Sequence, residues 1–192
     1  MSTAENTAER VDISLEFTPN PNTLKYVVNR TLLEKGAANF PNVAAAERSP
    51  LAKRLFGILG VAGVMVGKNF VTVTKGDSGD WEGLNRGVND ILKDHLLNNM
   101  QVIDESVVVS GPTGQGTGAI EDKIRAILDA EIRPAVAMDG GDITFERFEN
   151  GVVYLLLQGS CSGCPSSTAT LKMGIETRLK EAIPEVQEVV SV

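Results

Sequence analysis

The chain cannot be built around one continuous core, because Gly111-Pro112-Thr113-Gly114-Gln115-Gly116-Thr117-Gly118 interrupts it with glycines and a proline and offers no large apolar side chain. This composition predicts a flexible linker over 104–118 that averages about 20 Å end to end as a random coil and lets its flanks reorient. The 192 residues then divide into a domain over 1–103 and a smaller one over 119–192. Val107-Val108-Val109 ahead of the glycines imitates the strand of a nucleotide-binding turn. The match fails, since Gly114, Gly116 and Gly118 are spaced G-x-G-x-G and no Lys-Ser or Lys-Thr completes a phosphate loop.

In the first domain, alternation places Val11, Ile13, Leu15 and Phe17 on one face of a strand over 11–17. Pro19 and Pro21, set among asparagines, end it, and a second strand runs over 24–28. Ser49 caps a helix with Pro50 in its first turn and Leu51, Leu55 and Leu59 at helical spacing. Two β-rich runs, 61–66 and 70–74, flank the tight loop Gly67-Lys68-Asn69 as a hairpin. Asp80 caps a further helix whose apolar stripe holds Trp81, Leu84, Val88, Ile91 and His95. His95 fits an ordinary packed or partly exposed histidine.

In the second domain, Ile120, Ile124, Ile127 and Leu128 line a helix that Arg133-Pro134 ends. Strands over 143–148 and 152–158 flank Asn150-Gly151, a strong hairpin signal. A helix from Pro165 carries Leu171, Ile175, Leu179 and Ile183 on one face, and 186–192 forms a last strand. The fold class expected is α+β: two small α/β sandwich domains joined by the Gly-rich linker.

Both cysteines of the chain lie in Cys161-Ser162-Gly163-Cys164. In a reducing compartment such a pair is a metal or redox site rather than a structural staple. Two thiolates two residues apart can grip one metal from the same side but cannot complete a site. Tetrahedral zinc and the common iron–sulfur clusters take four protein ligands. Two copies of the chain supply four cysteines, and a symmetric homodimer is the simplest way to bring them together. Pro165 places the pair ahead of a helix N-terminus, which favours thiolates, and a loop with two ligands per chain is expected to be exposed. The same spacing also serves thiol–disulfide exchange and zinc-bridged adaptor dimers, and spacing alone leaves these open.

The residues Gly159-Ser160-Cys161-Ser162-Gly163-Cys164-Pro165-Ser166-Ser167, with Thr170-Leu171-Lys172, Gly174-Ile175-Glu176 and the earlier Asp139-Gly140-Gly141-Asp142-Ile143, resemble the C-terminal domain of Nfu/NifU-type scaffolds. Residues 18–25, 49–56 and 70–75 resemble the N-terminal domain of the same two-domain family. The resemblance implies a non-enzymatic scaffold or carrier. The cargo it implies is a [4Fe–4S] cluster bridging two protomers through Cys161 and Cys164, passed on to apo iron–sulfur client proteins and supplied by cluster-assembly machinery. It implies no ligand role for Asp139 or Asp142, whose glycines are expected to serve a turn, and a partner-recognition role for the N-terminal domain.

A net charge of −7 with no basic cluster argues against nucleic acid as a partner. No run approaches the roughly 20 apolar residues of a membrane span. The N-terminus lacks a secretion-signal core, so a cytoplasmic, reducing location is the default expectation. No serine or cysteine has a plausible base partner for hydrolase chemistry.

Overall fold

The computed structural model describes residues 10–104, 118–162 and 165–192. Most of the expected linker, 105–117, together with Gly163 and Cys164, lies outside the described residues. Two α+β domains are present. The first contains β1 (Ile13–Phe17), β2 (Thr23–Val28), β3 (Ala38–Phe40), α1 (Pro50–Phe56), β4 (Val61–Val66), β5 (Phe70–Lys75) and α2 (Trp81–Leu97), with a short 3-10 turn at Ala45–Arg48. Its sheet is antiparallel in the order β1-β2-β5-β4-β3.

Alternation gives each strand two faces. Leu24, Tyr26 and Val28 of β2, Val64 and Val66 of β4, and Val71 and Val73 of β5 are all buried. Most of them share one cluster with Leu51 and Leu55 of α1 and Val88 and Leu92 of α2. Ser49 caps α1 by accepting from the Ala52 N–H at 3.0 Å, and Asp80 caps α2 by accepting from the Gly83 N–H at 2.9 Å. Three expectations need correction. Leu15 and Phe17 register against Tyr26 and Leu24, but β1 is an edge strand and Phe17 is 86% exposed. Leu59 is 91% exposed because α1 stops at Phe56. In α2 it is Leu92, not Ile91, that is fully buried.

His95 is fully buried, its Nε2 facing the Gln101 carbonyl at 3.0 Å and its Nδ1 within 3.5 Å of the Arg54 guanidinium. Burial lowers its pKa below the ordinary 6.5 and Arg54 adds to this, against the Gln101 hydrogen bond. Below the unfolded value the denatured chain therefore takes up a proton that the folded chain resists. The N-terminal domain should melt at progressively lower temperature as pH falls from 7 to 5, and His95→Gln should flatten that slope in a pH series of thermal melts.

The second domain contains α3 (Ala119–Ile127), α4 (Arg133–Met138), β6 (Gly141–Glu149), β7 (Val152–Gly159), α5 (Pro165–Ala182) and β8 (Glu188–Ser191). β6 and β7 form the expected hairpin, with Asn150 and Gly151 at φ 51° and 81°, the left-handed pair that a two-residue reversal demands. β8 joins β7 in parallel, a pairing made possible by the α5 crossover. Ile175 and Leu179 of α5, with Ile183 just past its end, pack with Ile124, Leu128, Ile143, Val153 and Val189. Arg133-Pro134 does not end the first helix. A π turn over Leu128–Ile132 absorbs the change and the chain continues as α4, with Pro134 in its first turn, where a missing N–H costs little.

Candidate functional site

Cys161 follows β7, in the loop that leads to α5. Two strand ends fix this loop. The Ser160 N–H donates to the Gly140 carbonyl at 3.2 Å and the Ser160 hydroxyl donates to the Asp139 carbonyl, tying the loop to the turn that opens β6. Thr168 of α5 donates its hydroxyl to the Cys161 carbonyl at 3.2 Å.

Gly141 leaves the space in which the thiol sits. A Cβ there would lie 3.1 Å from Cys161 Cβ and from the Gln158 carbonyl oxygen, and closer still to Sγ. Gly141→Ala should therefore displace Cys161 and destabilise the second domain by about 1–3 kcal/mol, the usual cost of overpacking, read as a lowered melting temperature.

Asp139-Gly140 is a turn, with Gly140 at φ 76°, while Gly141 and Asp142, expected in the same turn, already open β6 and pair with Gly159 and Gln158. Asp142 is 2% exposed and meets Arg133 Nε at 3.0 Å. Arg133 also pairs with Asp129 at 2.6 Å and donates to the Ile143 carbonyl at 2.8 Å, so one guanidinium joins the π turn, α4 and β6 beneath the cysteine loop. Nothing in the sequence marked Arg133, which looked only like a helix end.

The electrostatics of Cys161 reverse the sequence expectation. It is 6% exposed, and burial pushes its thiol up to about 11, with Asp139 and Asp142 adding to the rise and the Ser160 hydroxyl opposing it. In this conformation Cys161 is a protonated, covered thiol rather than an exposed thiolate. Cys164 lies outside the described residues. Among the described residues no group of three or more His, Cys, Asp or Glu forms a metal site. His95 belongs to the first domain, held by Gln101 and Arg54. Beside the loop runs an apolar groove of about 570 Å³ lined by Pro19, Ile132, Val136, Asp139, Leu171 and Ile175.

Two family models match the chain: the scaffold protein Nfu/NifU N-terminal domain over residues 13–99, and the NifU-like domain over residues 124–190, which contains both cysteines. A human protein named NFU1 iron-sulfur cluster scaffold homolog, mitochondrial, is 42% identical over 182 residues, 92% of this chain and 70% of that protein. The chain belongs to the Nfu/NifU family. The similarly named protein of Drosophila willistoni is 40% identical over 184 residues, 92% of this chain and 62% of that protein. A solution structure of a NifU-like protein from Saccharomyces cerevisiae aligns with 55% of this chain and 95% of that one, at 23% identity and a TM-score of 0.47. This Nfu/NifU chain thus spans between three fifths and three quarters of the length of these two named relatives, whose names place them in mitochondria. No helix among the described residues is long and apolar enough to cross a membrane.

Proposed function

We propose that this chain is a non-enzymatic carrier whose cargo is a [4Fe–4S] cluster, held between two copies through Cys161 and Cys164 of each and handed on to apo iron–sulfur client proteins. One observation carries this: the two cysteines of the chain lie in a C-x-x-C loop inside the segment that matches the NifU-like domain. Soft thiolates suit iron–sulfur clusters, and two per chain make half of the four-ligand set such a cluster needs. The second copy is part of the site.

Each thiol must lose its proton on binding the cargo, so uptake releases protons and falls off at low pH. Binding energy is shared across two chains, so losing the cluster and losing the dimer are linked. A site with half its ligands on each protomer opens by separating them, which suits delivery and fits clients and assembly machinery as partners. Both thiols have to stay reduced, which a cytoplasmic or other reducing compartment provides.

Thiol–disulfide exchange fits less well. An attacking cysteine is exposed and has a lowered pKa, whereas Cys161 has neither property. A zinc-bridged adaptor dimer would use the same four sulfurs and give a colourless protein.

The test is transfer. Cluster-loaded protein is mixed, without oxygen, with an apo-enzyme that needs a [4Fe–4S] cluster, in the presence of a chelator that intercepts free iron. Recovery of that enzyme's activity is the expected result. Recovery only when the chelator is omitted would mean that iron leaks rather than transfers, and would contradict the carrier role.

A further inference from the structure

The first domain's sheet has helices on one face only, so its other face should meet water. Instead the middle of that face is buried. Thr23, Lys25, Met65, Phe70 and Thr72 point away from the helix-covered core by strand alternation, yet each is less than a tenth exposed and Thr72 is 1% exposed.

The second domain covers Lys25, Met65, Phe70 and Thr72, at the site described above. Lys25 Nζ donates to the Met138 carbonyl at 3.0 Å while pairing with Glu16 at 2.9 Å and lying 5.0 Å from the Phe70 ring centre. Ala137 packs on Met65 and Phe70. Gly140 lies so close to Thr72 that a Cβ would come within 2.8 Å of Thr72 Cγ2. The cysteine loop is gripped on both sides of Cys161: Gly159 sits against the Met65 thioether, and the Asn20 side-chain amide donates to the Ser162 carbonyl at 3.3 Å.

We propose that the outer face of the N-terminal sheet is an intramolecular docking surface for the cysteine loop, so that the apo chain is closed and must release this face before the loop can meet a second copy. The last clause rests on the cluster reading above; the closure itself does not. Geometry carries it. Met65 of β4 against Gly159 and Asn20 of the Thr18–Asn20 turn on Ser162 engage the loop on both sides of Cys161 from within the same chain.

The closure is tested in the full chain carrying Cys164→Ser, which leaves Cys161 as its single thiol. Alkylation by iodoacetamide is followed by intact mass at fixed pH. Thr72→Arg puts bulk and charge into the docking face but points away from the first domain's own core, so that domain should fold. Cys161 should then react on the order of tenfold faster, as expected when a protecting local contact is lost. Lys25→Met, which removes only the ammonium that bridges to Met138, should give a smaller rise in the same direction.

Rates unchanged in both variants would overturn the closure, and if Thr72→Arg melts the first domain, Lys25→Met alone decides. Faster alkylation in a variant whose Cys164-intact form takes up no cluster would leave the closure standing and remove the cluster reading.

Discussion

Cys161→Ser or Cys164→Ser should abolish stable cluster uptake. Both copies carry the substitution, so a single change removes two of the four ligands of a bridging site. Hydroxyl oxygen is a poor replacement for thiolate sulfur at iron–sulfur iron. Changes one shell away from a metal already cost about 10–100-fold in affinity, so losing half the first shell should exceed about 100-fold. The effect should stay local. The first domain has its own core around Tyr26, Leu51, Leu55 and Val88, and its thermal unfolding should shift by no more than about 0.5 kcal/mol. Anaerobic reconstitution followed by iron analysis, with calorimetry of the apo-protein, reads both outcomes. A Cys161→Ser protein that keeps a full cluster would rule this cysteine out as a ligand.

Arg133→Met should be the most damaging single change in the second domain outside its apolar core. The guanidinium makes a 3.0 Å contact with the buried Asp142, a 2.6 Å pair with Asp129 and a 2.8 Å hydrogen bond to the Ile143 carbonyl. Removing one partner of a buried ion pair costs about 3–5 kcal/mol, because the remaining charge loses the group that offset its desolvation. For a domain of this size about 3 kcal/mol corresponds to a melting temperature lower by on the order of 15 °C. Adding Asp142→Asn should recover part of the loss, since the group left behind is then neutral. Equal melting of Arg133→Met and the parent would show that the ion pair contributes nothing net.

The local chemistry of the chain was legible wherever the short range decides structure. Ser49-Pro50 and Asp80 start helices by capping, and Asn150-Gly151 closes a hairpin with two left-handed residues. The stripe Ile175, Leu179 and Ile183 is buried as its spacing demands. Pro134 does not stop the helical path as its sequence position suggests, because proline disrupts a helix interior but not a first turn, and the π turn before it is invisible to periodicity. Leu15 and Phe17 alternate correctly but lie on an edge strand, and strand order is a long-range property.

The site divides in the same way. The cysteine pair and the Asp139–Asp142 turn stand out in the sequence, whereas the burial of Cys161 does not. Thr23, Lys25 and Thr72 are polar residues at alternate positions of their strands, the pattern of a sheet face turned to water. Packing between the domains buries the middle of that face around Lys25 and Thr72 and covers the loop. An expectation of an exposed thiolate, formed from the C-x-x-C loop and its helix, could not include a surface supplied by residues some 90 to 140 positions away along the chain.

The central claim is that four cysteines from two chains hold one cluster, and its most direct measurement is stoichiometry joined to mass. The full chain is reconstituted without oxygen with iron and sulfide, and the coloured species is analysed for iron, sulfide, zinc and solution mass. About two irons and two sulfides per chain, in a species of twice the 20.5 kDa chain mass, are expected for one bridging [4Fe–4S] cluster. A colourless protein with zinc, or a coloured monomer holding a whole cluster on one chain, would contradict it.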